Sequence, residues 1–198
     1  MIVGGVAAVV IVLAGILLLN RGSGSSPTSS GTTATTSAKP SASANSSTGQ
    51  QQAATALAAL LAQSVTDRGD VIDAVVNVRD CGSKLAHDDA VFLKAASNRT
   101  RLLADLAGMS DRSALSAAML QDLTGAWQAS AKADSDLAKW ADDAMTKGCN
   151  KKTIESDGNL NASYGPDSQA TQDKQAFASL WNPMATKYGL TTYQSSQL

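Results

Sequence analysis

The feature that most constrains this chain is a proline-free run from Ser110 to Cys149. Along it, residues of one helix face recur at steps of three and four. That stripe consists of Leu115, Met119, Leu123, Trp127, Ser130, Asp134, Leu137, Ala141 and Met145. We expect Ser110 or Asp111 to cap the start of the helix and Gly148 to end it in the left-handed conformation. Such a helix needs neighbouring helices to cover its stripe.

Three further segments carry the same helical period, over 51–80, about 83–107, and from about 167 to Gly189. The segment 150–166 contains turn-forming residues and is expected to be irregular. Pro183 lies inside the last helix and should kink it, because proline removes a backbone hydrogen bond. With aromatics at only 4%, the alanine-rich composition favours helices over sheets. The sequence therefore predicts an all-α, antiparallel up-down-up-down four-helix bundle over residues 51–190, followed by a polar tail at 191–198.

The first twenty residues predict a membrane anchor. Ile2 to Leu19 has no charged side chain, and a helix of that length spans about 27 Å, enough for a bilayer core. A retained signal-anchor over 1–20 is the first interpretation, and a cleaved signal peptide is the alternative. Residues 21–50 are more than half Ser and Thr, so they are expected to form a disordered linker. Arg21 alone would place the rest of the chain in the cytoplasm by the positive-inside rule.

The two cysteines argue against that orientation. If the helices alternate in direction, the first and third end at the same end of the bundle. Cys81 follows the first helix and Cys149 follows the third, so a disulfide between them is predicted. A disulfide implies an oxidising compartment, whereas the alternative is two free buried thiols in a cytosolic domain. We therefore expect a single-pass membrane protein with its C-terminal domain extracytoplasmic, or a secreted protein if the N-terminal segment is cleaved.

Three charged residues fall on the apolar stripes of the predicted helices: Arg68, Arg99 and Asp134. Counted from the cysteine end of the bundle, their depths agree within about 6 Å at about 1.5 Å per residue. The pattern predicts a buried polar layer. One interpretation is an ion pair that fixes the helix register, and the other is a polar binding site inside the bundle.

The remaining sequence offers no catalytic constellation, so no enzyme activity is expected. The net charge of −1 excludes a strong field towards nucleic acid. His87 is the single histidine, and a zinc site would need several histidine or cysteine ligands. Asp157 to Asn159 lacks the alternating ligands and terminal glutamate of a calcium loop. No metal ion and no cofactor are predicted.

Two segments resemble a known group of proteins. The first runs from Trp127 through Asp134 and Trp140 to Cys149, and the second covers residues 170–190, with Leu180-Trp181-Asn182-Pro183 and Tyr188-Gly189-Leu190. Together they resemble uncharacterised membrane-anchored extracytoplasmic helical proteins of Gram-positive bacteria, over roughly residues 80–190. The resemblance implies a helical fold outside the cytoplasm and carries no activity.

These observations favour a non-catalytic binding or interaction module of the cell envelope, tethered to the membrane and open to an envelope protein partner. One alternative is a structural envelope component without a ligand. A second is a small-ligand sensor domain that acts through a transmembrane partner.

Overall fold

A computed structural model describes residues 42–198, with side chains from Ser47 onwards. Within this range the chain is all-helical and contains no strand, which confirms the predicted class. The helices are α1 (Ala42–Arg79), α2 (Leu85–Ala107), α3 (Ala117–Thr146), α4 (Lys151–Glu155) and α5 (Gly158–Lys187). The predicted anchor at 1–20 lies outside the described residues. None of the described helices combines the length and apolar character that a bilayer crossing requires.

Helix α1 begins earlier than expected. It starts at Ala42, inside the segment that the sequence analysis assigned to the linker. Extending an established helix costs little, and the alanines that follow are strong helix formers. Gln50 is also held to the far end of α5, because the Tyr188 hydroxyl donates to Gln50 Oε1 at 2.6 Å. The predicted boundary at residue 50 therefore does not coincide with the start of the helix.

Helix α3 begins later than expected. Its cap is Ser116, whose hydroxyl accepts from the Met119 amide, so the predicted cap at Ser110 or Asp111 is wrong. Asp111 instead takes a left-handed conformation with φ of 54°, followed by a short 3-10 turn at Arg112–Ala114. Residues with short polar side chains such as Asp tolerate this region better than most. At the other end, Gly148 has φ of +83° and ends the helix as predicted.

The segment 150–166 is helical, so the predicted irregular connection is wrong. It holds α4 and the first two turns of α5. The Asp157 carboxylate accepts from the Asn159 amide at 2.7 Å and from the Leu160 amide at 3.3 Å, which caps α5 well before its predicted start near 167. Both Pro166 and Pro183 lie inside α5. Helix α4 is anchored by Trp140, whose indole donates to the Ile154 carbonyl oxygen at 2.9 Å.

Three pairs of long helices pack closely: α1 with α2, α2 with α3, and α3 with α5. Helices α1 and α5 are not among the closely packed pairs. We call the region where these two helices face each other the α1–α5 seam. In the α1–α2 pair, the amide of Asn98 donates to Asp67 and the amide of Asn77 donates to Asp88. Since the later residue on α1 meets the earlier residue on α2, these two helices run in opposite directions.

The apolar core forms two separate clusters. The first contains the large buried side chains Leu57, Leu102, Leu123, Trp127, Phe177 and Trp181. The second contains Val78, Phe92, Trp140, Ile154 and Leu160. Each of the four long helices contributes to both clusters, so each helix crosses the space between them.

The last residues fold onto the first cluster. The Trp181 indole donates to the Thr191 carbonyl oxygen, and Asn182 exchanges hydrogen bonds with the backbone of Tyr193. Leu198 is buried within the first cluster. The segment predicted as a polar tail at 191–198 therefore contributes an apolar contact to the domain.

Cys81 and Cys149 form a disulfide, with an S–S distance of 2.08 Å and Cα atoms 5.5 Å apart. Cys81 follows the end of α1, and Cys149 follows the glycine that ends α3. The predicted disulfide is thus present, and the alternative of two free thiols is not what the fold contains. It joins two helices that are separated in sequence by the whole of α2.

Candidate binding site: a buried charged layer

Each long helix places a charged side chain between the two apolar clusters. These residues are Arg68 on α1, Arg99 on α2, Asp134 on α3 and Lys174 on α5, and we call them the charged layer. Arg99 and Asp134 are each 3% exposed and Lys174 is 5% exposed, whereas Arg68 is half-buried. The structure therefore brings Arg99 and Asp134 together inside the domain, with Arg68 at its edge.

The charged layer contains one ion pair. The Nε of Arg99 donates to Asp134 Oδ2 at 2.7 Å. The Nη1 of Arg99 and the Nε of Arg68 are also buried, yet neither has a hydrogen-bond partner among the described residues. A buried N–H group without a partner costs free energy, because it has given up its hydrogen bonds to water. Two donors on two different helices thus have unused hydrogen-bonding capacity.

Most of the other buried polar side chains of the described residues are partnered. The Ser64 hydroxyl accepts from the Trp127 indole at 3.1 Å, and Ser163 donates to the Leu160 carbonyl oxygen. Asp136 is 2% exposed and pairs with Lys132 and Lys139. Unsatisfied donors are therefore concentrated in the charged layer, rather than being spread through the core.

Positive charge exceeds negative charge in this layer. Burial, together with the nearby charges of Arg68 and Arg99, lowers the pKa of Lys174 from 10.5 to about 7. Asp167 and Asp134 act in the opposite direction on that pKa. Burial raises the pKa of Asp134, and the neighbouring Arg99 and Lys174 oppose the rise. Three cationic side chains thus share two carboxylates, one of which, Asp167, is exposed.

At the α1–α5 seam, the half-buried Arg68 is the member of the charged layer that contacts solvent. Arg68 stands on α1, and Asp167 and Lys174 stand on α5. The charge of Asp167 raises the pKa of Arg68, so these two side chains lie within electrostatic range across the seam. Helices α1 and α5 are not among the closely packed pairs, so Arg68 lies at a less closely packed part of the domain.

The other candidate residues of the sequence provide weaker evidence for a binding site. His87 lines an open groove of about 470 Å³ between α1 and α2 together with Asp70, Asp73 and Asp88. Asp88 already accepts from Asn77, and the described residues contain no group of three side chains that could hold a metal ion. Asp157 caps α5, so its role is structural.

Lys174 is the member of the layer that the sequence analysis did not assign. The sequence could have identified Lys174 by its helical spacing from Ala170 and Phe177, which are both buried on the same face of α5. That spacing is the same as the one that identified Arg68, Arg99 and Asp134. With a predicted start near residue 167, Lys174 would lie about 10 Å from the cysteine end at about 1.5 Å per residue, short of the depth of the other three.

The comparisons with known proteins leave the site to be interpreted from its own geometry. No family model matches the chain. Neither the curated proteins nor the solved structures provide a match.

Proposed function

We propose that this protein is a membrane-tethered, extracytoplasmic helical binding module that takes its ligand at the charged layer and performs no chemistry on it. In this proposal the four long helices form an antiparallel up-down-up-down bundle, with residues 21–41 as the tether and residues 1–20 as the anchor. The proposal rests on the charged layer and on the arguments for location.

The observation that carries the binding role is that Arg68 Nε and Arg99 Nη1 are buried and have no partner in the part of the chain that the structure describes. A polar contact that served only to fix helix register would be expected to satisfy its own donors, as the Trp127 indole on α3 does by donating to Ser64 on α1. A bound ligand with acceptor atoms would satisfy the two arginine donors instead. The layer lies next to α1 and α5, which are not among the closely packed helix pairs, and this favours exchange with solvent.

The disulfide between Cys81 and Cys149 supports a location outside the cytoplasm, since disulfides persist in oxidising compartments. The Ser/Thr-rich segment before Ala42 suits an extracytoplasmic tether. The resemblance to membrane-anchored proteins of Gram-positive bacteria agrees with both.

Protease treatment of intact protoplasts tests the location. A tag after Leu198 should be removed by external protease while a cytoplasmic marker stays intact, and the untreated chain should sediment with membranes. A tag that becomes accessible only after lysis would overturn the assigned location.

Native mass spectrometry of the full-length chain, purified in mild detergent, tests the binding role. We expect a small retained ligand in the wild type and its loss in Arg68→Met, while Arg79→Met, an exposed arginine on the same helix, keeps it. A wild-type chain without any retained mass, or equal retention in both variants, would count against a ligand at the charged layer.

A structural, ligand-free role is the second candidate, and one observation favours it. Ile72 and Val76 are 48% and 54% exposed and lie one turn apart on α1. Exposed apolar side chains at this spacing are typical of a face that packs against another protein. Cross-linking in cells should then give a discrete product with the wild type and none with Ile72→Ser/Val76→Ser. The control Leu93→Ser, which alters an equally exposed residue on α2, should still give the product.

A further inference from the structure

Counted together with the nearby exposed Asp167, the charged layer has one net positive charge when all of these groups are ionised. Arg68, Arg99 and Lys174 contribute three positive charges, and Asp134 and Asp167 contribute two negative charges. A ligand with a single negative charge would make the layer neutral, whereas a doubly charged phosphate would reverse its sign. Neutrality matters here because an uncompensated charge is costly in a buried site.

The unused donors match the acceptors of a carboxylate. Arg99 Nη1 and Arg68 Nε are buried N–H groups on different helices. A carboxylate has two oxygens, each able to accept from one of them, and hydrogen bonds between ionised groups are about twice as strong as neutral ones. Asp134 already occupies Arg99 Nε, so the ligand would extend the existing ion pair without displacing it.

From these observations we infer that the charged layer binds the carboxylate group of a small organic anion, which enters through the α1–α5 seam and is held by Arg68, Arg99 and Lys174. This inference rests on the binding role proposed above and specifies the chemical class of the ligand.

Binding of an anion at this position is coupled to a proton. The pKa of Lys174 is about 7 in the folded protein, because burial and the two arginines disfavour its charge more than Asp167 and Asp134 favour it. A bound carboxylate adds a negative charge beside Lys174 and raises that pKa. Above pH 7 the anion therefore binds with uptake of a proton, and its affinity falls as the pH rises.

The test is a titration of the purified full-length chain with sodium acetate at constant ionic strength, with sodium chloride replacing acetate. Acetate is the smallest carboxylate probe, and acetamide is its uncharged counterpart of similar shape. Binding is followed by isothermal calorimetry and by the melting temperature. We expect acetate to bind with a dissociation constant on the order of 1 mM, in keeping with the limited affinity available to so few atoms, and acetamide not to bind.

Two variants and a control assign the binding to the layer. Arg68→Met removes a half-buried side chain whose Nε has no partner within residues 42–198, so the variant should fold, and it should weaken acetate binding at least tenfold. Arg79→Met should leave the affinity unchanged. In Lys174→Met, the dependence of the acetate affinity on pH between 7 and 9 should disappear, whereas in the wild type the affinity should fall by up to about tenfold per pH unit.

The inference is overturned if acetate and acetamide act alike, if phosphate binds and acetate does not, or if Arg68→Met binds acetate as the wild type does. A native ligand found by mass spectrometry to be neutral or cationic would also overturn it, while leaving the proposed binding role intact.

Discussion

The Arg99–Asp134 ion pair is buried on both sides, and its energetic behaviour should follow from that burial. Arg99→Leu leaves the Asp134 carboxylate without its donor in the core, and a cost of about 3–5 kcal/mol in the free energy of unfolding is expected. The double variant Arg99→Leu/Asp134→Leu removes both charges and should recover most of that loss. Urea unfolding of the two single variants, the double variant and the wild type completes the cycle. Additive losses would contradict the coupling.

Lys174 makes stability depend on pH in a defined window. Its pKa is about 7 in the folded domain and 10.5 in a model compound, so between these values the unfolded chain binds a proton that the folded chain has released. The free energy of unfolding should therefore rise with pH across this window, by at most about 1.4 kcal/mol per unit. Arg68 and Arg99 lower this pKa, and Asp167 and Asp134 raise it.

Urea unfolding from pH 7 to 10 measures that rise, and Lys174→Met should flatten it. The chain contains only two cysteines, and these form the disulfide, so thiol exchange does not complicate the alkaline measurements. Equal slopes in the wild type and in Lys174→Met would show that Lys174 stays charged in the fold.

At the residue scale, helical periodicity was enough to place charged residues on buried faces. Arg68, Arg99 and Asp134 could be assigned to one layer because each helix could be counted from the cysteine end. Which guanidinium nitrogen finds a partner depends on side-chain rotamers and on the distances between helices. The spacing of residues in the sequence determines neither the rotamers nor these distances, so the unpartnered donors are seen only in the structure.

At the scale of elements, the cap of α5 is a clear test of local structure. Asp157 accepts from two amides at the start of this helix, and Asp157→Ala should cost about 1 kcal/mol in the free energy of unfolding. Asp157→Asn keeps an acceptor oxygen and should cost much less. Thermal unfolding of both variants distinguishes a cap from a general charge effect, since an equal loss in both would indicate the latter.

Helix boundaries were the least predictable part of the fold, for a physical reason at each site. Ser110, Ser116 and Asp157 are all residue types that cap helices, so composition cannot choose among them. The choice depends on tertiary contacts: Leu115 is buried just before α3, and Leu160 is buried just after the start of α5. The four long segments were predicted correctly as helices, because the apolar period of each extends over many turns.

At the scale of the whole domain, the charged layer and the disulfide act on different parts of the same core. The second apolar cluster includes Val78 and packs against Cys149, so the disulfide lies beside it. The first cluster lies on the other side of the charged layer, and Leu198 and Trp181 are buried within it. Loss of the disulfide should therefore loosen the second cluster before the first, which amide hydrogen exchange at Phe92 and Leu102 can resolve.

The disulfide should also contribute substantially to the stability of the domain. It joins residues 68 apart in sequence, and closing a loop of that size restricts the unfolded chain enough to stabilise the fold by about 4 kcal/mol in the chain-entropy description. Cys81→Ser/Cys149→Ser should therefore unfold at a markedly lower urea concentration than the oxidised wild type. Wild-type protein reduced with dithiothreitol is the matched control and should unfold with the double variant. If the double variant and the oxidised wild type unfold at the same urea concentration, the disulfide between the ends of α1 and α3 does not stabilise the fold.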